Sequence, residues 1–171
     1  LVVLETTLLV LYFRGLRPDI ITSCCGSLFN TGSSTIASDI ASLPAGPLRL
    51  VFTAVIVTTI LLGWAFAASG RGGYAFALSA AATFVAGLAA LLSFICTAVY
   101  ELPTHHCPFC ILQKEYHYIG YLFYATLLGG AVSGMGVGVL IPFRGHPSLA
   151  KVLPSFQRRL AVLSLIFTIF L

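Results

Sequence analysis

The sequence predicts an all-α integral membrane protein, a single domain over residues 1–171 built as a bundle of about five transmembrane helices. Hydrophobic residues make up 58% of the chain and charged residues only 8%, a composition typical of membrane proteins rather than soluble globular domains. The apolar residues also occur in long runs, and most polar residues lie between them.

Three apolar runs are long enough to cross the bilayer. A helix rises 1.5 Å per residue, so ~20 apolar residues span ~30 Å of hydrocarbon. The runs are Leu50–Ala68, Tyr74–Val99 and Ile111–Val132. The second run is rich in Ala, Gly and Ser, and "GGAVSGMGVGVL" closes the helix of the third. Because small residues let helices approach closely in lipid, we interpret the first segment as a packing surface and the second as close packing or a helix end.

Two shorter apolar runs stand at the ends of the sequence, Leu1–Phe13 and Leu160–Leu171. Neither reaches across a bilayer alone, and we expect them to be truncated first and last helices. A cleaved signal peptide is not favoured for the first run, since no basic region precedes it and no Ala-x-Ala-like site follows it.

Residues 14–49 are predicted to form the largest loop outside the membrane, on its extracytoplasmic side. This loop is rich in Ser, Thr and Gly. Within it Ile36, Ile40 and Leu43 follow the i, i+4, i+7 spacing of one short amphipathic helix. We expect this helix to lie on the membrane surface.

The charge distribution indicates an orientation and excludes one class of partner. Nine Lys and Arg against five Asp and Glu give a net charge of +4, but no stripe of basic and aromatic residues indicates nucleic-acid binding. Four basic residues fall in the connection Arg144–Arg159, which by the positive-inside tendency faces the cytoplasm. The loop 14–49 and the segment Glu101–Cys110 would then lie on the opposite side.

Cysteines dominate the candidate chemistry. Four of the five, Cys24, Cys25, Cys107 and Cys110, fall in the two segments predicted to share one side of the membrane. Thiol–disulfide exchange needs only contact between a thiolate and a disulfide sulfur. In "THHCPFCILQKEY" the Cys-x-x-Cys pair is expected to open a helix, where free N–H groups and the helix dipole stabilise a thiolate.

Residues after the Cys-x-x-Cys pair predict a site for a flat ring. Lys114, His117 and Tyr121 follow Cys110 at i+4, i+7 and i+11, the spacing of one helical face. An ammonium one turn away favours a thiolate and can hydrogen-bond a carbonyl. With Tyr118 and Tyr124 added, the face is predicted to line a quinone site.

The segment "CPFCILQK", Cys107–Lys114, resembles the Cys-x-x-Cys-x-x-x-Arg segment of the DsbB family of bacterial disulfide-bond oxidases. The order of parts is similar to the related vitamin K epoxide reductase family, which has a loop cysteine pair between its first two helices and a quinone-reactive Cys-x-x-Cys opening the fourth. The chain differs in having Lys114 in place of Arg, adjacent loop cysteines, and His105 and His106 before the motif.

The resemblance implies a catalytic relay through four cysteines. Electrons from a thioredoxin-like or other extracytoplasmic dithiol protein would pass to Cys24 or Cys25, then to Cys107, and from Cys110 to ubiquinone or menaquinone beside Lys114. It also implies a bacterial inner membrane with the cysteines on the periplasmic side. Membrane lipid, and possible further membrane subunits, complete the expected partners.

Two other interpretations stay open. His105, His106, Cys107 and Cys110 contain the donor types of a zinc or copper site, with Cys24 or Cys25 as further ligands. Alternatively, the protein is a non-catalytic subunit of a respiratory or transport complex in which the cysteines form one stabilising disulfide. Cys96, inside an apolar run, is expected to be a small buried hydrophobe.

Overall fold

The computed structural model describes residues 5–8, 36–102, 106–147 and 149–171, and every regular element in these ranges is a helix. Four helices are long and apolar enough to cross a membrane. The all-α prediction is therefore confirmed for the described part of the chain, and these four helices indicate an integral membrane protein. Of the predicted first helix only residues 5–8 are described, and they are helical; a fifth span stays a prediction.

The elements follow one another with short connections. A short helix α1, Ile36–Ala41, precedes α2, Ala45–Ser69. The next long helix consists of α3, a π-helical turn and α4 in direct succession, Gly73–Ala90, Leu91–Ile95 and Cys96–Tyr100. The last two long helices are α5, Ile119–Val139, and α6, Leu153–Phe170. The 3₁₀ turns are Cys110–Leu112, Lys114–Tyr116 and Pro142–Gly145.

The four long helices pack in a closed ring. In this ring α2 packs on α3, α3 on α5, α5 on α6, and α6 on α2. The bundle therefore has two distinct ends. One end carries the tight α2–α3 turn, with Gly70 and Gly72 in the left-handed conformation (φ 71° and 79°), and the α5–α6 connection. The other end carries α1, α4 and the cysteine-containing segment before α5.

Small residues hold the helices close, as the sequence indicated. A Cβ added to Gly134 would come within 2.5 Å of the Ala80 Cβ, and one added to Gly138 within 2.5 Å of the Ala77 Cβ. The hydroxyls of Thr59 and Thr83 share a buried hydrogen bond of 2.8 Å between α2 and α3. Close approach and interhelical hydrogen bonds replace the hydrophobic drive that lipid cannot supply. The interpretation of both segments as sites of close packing is confirmed.

Two helix boundaries differ from the prediction. The last helix begins at Leu153, seven residues before the apolar run, because polar and basic residues at its start are helical too. Its 18 residues make it a candidate span by itself. The helix predicted to open near Ile111 begins instead at Ile119, after two 3₁₀ turns.

The short surface helix is confirmed as an element, but it uses a different face. Ser38 and Ala41 are its buried residues, whereas Ile36 is 80% exposed. It packs against the π-helical turn, and the Ser93 hydroxyl donates a hydrogen bond of 3.0 Å to the Leu43 carbonyl. Small residues thus attach α1 to the bundle.

Candidate functional site

The Cys-x-x-Cys pair lies between α4 and α5 at the end of the bundle opposite the α2–α3 turn. Cys107 is completely buried, and Cys110, the first residue of a 3₁₀ turn, is partly exposed. The two sulfurs therefore differ in access. A reagent from solution or lipid reaches Cys110 more readily than Cys107.

The backbone at Cys107 is fixed by α4. The Tyr100 hydroxyl donates to the Cys107 carbonyl at 2.6 Å, and the Cys96 thiol donates to the same oxygen at 3.6 Å. Tyr100 and Cys96 are one helical turn apart, so they present both donors from one face of α4. This carbonyl therefore ties the cysteine segment to a membrane-spanning helix.

The residues on either side of Cys107 are held in the same way. The His106 ring contacts the Leu92 carbonyl through Nδ1 at 2.7 Å, and Nδ1 must be the donor because a carbonyl only accepts. The Tyr124 hydroxyl, on α5, donates to the Pro108 carbonyl at 2.8 Å. Three consecutive residues of the segment are thus hydrogen-bonded to spanning helices.

The π-helical turn supplies one of these contacts. The Cys96 N–H bonds to the Leu91 carbonyl, five residues back. In an α-helix it would bond to the Leu92 carbonyl, four residues back. The Leu92 carbonyl accepts the His106 ring instead. π-helical turns of this kind are frequent at functional sites.

Cys110 lies in a cluster of apolar and aromatic side chains. Leu91, Cys96, Tyr100 and Ile111 form its buried part. Cys110 packs against this core among further partly buried residues, Ile95, Val99, Leu112, Tyr116, Phe123 and Tyr124. The rings of Tyr100 and Tyr116 are 4.5 Å apart between centroids, tilted by 57°. The cluster gives Cys110 an aromatic surrounding at the end of the bundle.

The prediction of one helical face through Cys110, Lys114, His117 and Tyr121 is wrong. That Lys114, His117 and Tyr121 bind a quinone stays a prediction. Gln113 is extended (ψ 159°), which separates the two 3₁₀ turns. All three predicted ligand residues are exposed. The i+4, i+7 and i+11 spacing from Cys110 therefore does not place these side chains on one face, because no continuous α-helix runs from Cys110 to Tyr121.

The physical reason is a reversal of the chain just before α5. His117 and Tyr118 both have left-handed backbone conformations (φ 55° and 57°), and the Tyr118 N–H bonds back to the Gln113 carbonyl at 3.3 Å. Gly120 then passes so close to Ile111 that an added Cβ would lie 2.9 Å from the Ile111 carbonyl oxygen. Tertiary contacts thus replace the helical hydrogen bonds expected here.

The residues that the structure describes contain no cluster of ligands for the predicted zinc or copper site. Within those ranges no three His, Cys, Asp or Glu side chains are grouped closely enough to hold a metal ion. His106 uses Nδ1 for the Leu92 carbonyl. His105, Cys24 and Cys25 lie outside the described residues, so the structure places neither the remaining metal ligands nor the loop half of the relay.

Two residues of the site were not identified from the sequence. Cys96 is buried, as the sequence predicts, but the sequence assigns no role at the site to Cys96 or Tyr100, and both bond to the Cys107 carbonyl. Their i, i+4 spacing in the last turn before the cysteine segment was the available signal. Comparison of the chain with protein-family models, curated proteins and solved structures finds no match.

Proposed function

We propose that this protein is a membrane thiol–disulfide oxidoreductase that passes electrons from an extracytoplasmic dithiol to a membrane quinone. Cys107 and Cys110 form its quinone-side redox pair, and Cys24 and Cys25 receive electrons from the partner. The site would face the periplasm of a bacterial inner membrane, because thiol oxidation on that side is driven by quinone-linked chains.

One observation carries the proposal: the Cys-x-x-Cys segment is fixed by hydrogen bonds at one end of the bundle, with Cys107 buried and Cys110 partly exposed. Hydrogen bonds at His106, Cys107 and Pro108 fix the backbone. Positioned groups react faster because their orientation is set before the reaction. The buried Cys107 suits exchange within the chain, whereas the partly exposed Cys110 beside aromatic rings suits an acceptor dissolved in lipid.

The proposed cycle balances over two electrons and two protons. A partner dithiol reduces a Cys24–Cys25 disulfide and leaves as a disulfide. One resulting thiolate attacks the Cys107 sulfur of the Cys107–Cys110 disulfide and releases the Cys110 thiolate. The second loop thiolate then attacks this mixed disulfide, which re-forms the Cys24–Cys25 disulfide and releases the Cys107 thiolate. The reduced pair then transfers two electrons and two protons to the quinone. The products are quinol and the restored Cys107–Cys110 disulfide.

The direct test is quinone reduction by purified, reconstituted protein with a dithiol as electron donor. Cys107→Ser and Cys110→Ser should each abolish the quinone absorbance change. Cys96→Ser is the matched control and should leave quinone reduction intact. The serine hydroxyl can still donate to the Cys107 carbonyl, whereas the sulfur of Cys96 is lost. Turnover that survives in either of the first two variants would remove the enzyme hypothesis.

One observation favours the alternative of a non-catalytic subunit. Lys114, His117 and Tyr121 are all exposed and do not lie on one helical face, so they do not form the predicted face of a quinone site. It predicts co-purification with stoichiometric partners and no thiol-dependent quinone reduction in the wild-type protein. The same assay therefore separates the two functions. Elemental analysis of the purified protein tests the metal interpretation, which requires one equivalent of zinc or copper that Cys107→Ser and Cys110→Ser both lose.

A further inference from the structure

A cavity of about 940 Å³ lies at the end of the bundle opposite the cysteines. Its lining includes four cationic side chains, those of Arg144, Lys151, Arg158 and Arg159. Its size falls within the ~300–1,000 Å³ of typical small-molecule sites. A cavity with this many cations requires an anionic occupant or counter-ions.

The sequence provides no carboxylate to neutralise these charges from the surrounding helices. No Asp or Glu occurs between Asp39 and Glu101 or after Glu115. The helices α2, α3, α5 and α6 and the connections at this end therefore contain none. None of these elements therefore neutralises the four positive charges.

Arg144 is held in place by neutral groups. Its Nε donates to the Gln157 Oε1 at 2.5 Å and its Nη1 to the Gly70 carbonyl at 3.4 Å. The guanidinium lies 5.7 Å from the centroid of the Phe66 ring. Gln157 is completely buried and donates to the Val137 carbonyl at 2.9 Å. These contacts orient the guanidinium without cancelling its charge.

Part of the cavity lining is apolar. Val162, Leu163 and Ile166 form this part, and each is nearly half exposed. They lie four to eight residues beyond Arg158 on α6, which is ~6–12 Å deeper along the helix. The cavity therefore has a cationic part at the end of the bundle and an apolar part that extends along a candidate spanning helix.

We propose that this cavity binds an anionic phospholipid, with its phosphate between the four basic side chains and an acyl chain along Val162, Leu163 and Ile166. Basic pockets between transmembrane helices bind anionic headgroups by the same combination of forces. Arginine suits a phosphate because its planar guanidinium donates two parallel hydrogen bonds. The assignment does not depend on the redox function.

The test measures lipid selectivity by native mass spectrometry of the protein released from nanodiscs of phosphatidylglycerol and phosphatidylcholine. Wild-type protein should retain phosphatidylglycerol preferentially. Arg158→Gln and Lys151→Gln should each lower that preference about five-fold, the equivalent of about 1 kcal/mol for one basic residue near the surface. Arg71→Gln is the matched control, because Arg71 lies at the same end and does not line the cavity.

Three outcomes would overturn the proposal. The first is a wild-type protein without preference for phosphatidylglycerol. The second is an equal loss of preference in Arg71→Gln and Arg158→Gln, which would indicate general surface charge. The third is displacement of the lipid by inorganic phosphate or glycerol phosphate alone, which would assign the cavity to a soluble phosphate compound.

Discussion

Replacing Tyr100 by Phe tests whether α4 fixes the cysteine segment. The substitution removes one hydroxyl, which donates to the Cys107 carbonyl at 2.6 Å, and leaves the ring that packs on Tyr116. We expect local opening of the segment to become easier, and the buried Cys107 sulfur to become more reactive towards a small alkylating reagent.

The magnitude follows from the two donors at this carbonyl. An intramolecular hydrogen bond contributes ~0.5–1.5 kcal/mol net, and the Cys96 thiol still donates to the same oxygen in the variant. A loss of ~1 kcal/mol raises the open population about five-fold. Tyr100→Phe combined with Cys96→Ala removes both donors. Two hydrogen bonds of ~0.5–1.5 kcal/mol each contribute ~1–3 kcal/mol together, so alkylation should rise by about 5- to 150-fold.

The assay is the rate of maleimide labelling of Cys107 in the reduced protein, with each cysteine identified by peptide mass. When the segment recloses faster than it is labelled, the rate reports the open population. Tyr121→Phe is the control, since Tyr121 is an exposed tyrosine on α5. Wild-type labelling in the double variant, or an equal increase in Tyr121→Phe, would refute the assignment of Tyr100 and Cys96 as positioning residues.

Two stability predictions concern the bundle itself. Gly120→Ala should lower the free energy of unfolding by ~1–3 kcal/mol, and with it the Tm, because the added Cβ would meet the Ile111 backbone. Gly46→Ala is the control and should not lower Tm, because the space around Gly46 is open. Equal Tm values for the two variants would contradict the close contact at Gly120. A double-mutant cycle of Thr59→Val and Thr83→Val, measured by unfolding in detergent, should give a coupling of ~0.6 and at most ~1.7 kcal/mol, and a coupling of zero would show that their hydrogen bond adds no stability.

The sequence predicted the spans and their order because a helix that crosses the hydrocarbon core must consist mainly of apolar residues. The runs Leu50–Ala68 and Tyr74–Val99 correspond closely to Ala45–Ser69 and Gly73–Tyr100. At α6 the same criterion failed, since Gln157, Arg158 and Arg159 are polar yet helical. Gln157 is buried through specific hydrogen bonds, which an average over the segment does not reveal.

The candidate site was predictable in its cysteines and not in its geometry. A Cys-x-x-Cys pair is visible as a spacing, but the path from Cys110 to Tyr121 depends on contacts with residues distant in sequence. The close fit of Gly120 to Ile111 and the bond from His106 to Leu92 favour turns where periodicity alone predicts a helix. Helical periodicity is decisive only where no tertiary contact competes.

The single extra residue in the turn Leu91–Ile95 has a consequence for the backbone rather than for the side chains beyond it. A π-helical turn absorbs one residue more than an α-helical turn holds, so deleting one residue there would restore α-helical hydrogen bonding and leave Cys96 and Tyr100 on nearly the same helical face. The carbonyl that His106 now contacts would instead accept a backbone N–H of its own helix. A one-codon deletion in this turn would therefore release the cysteine segment at His106 while both side-chain donors to Cys107 stay in place.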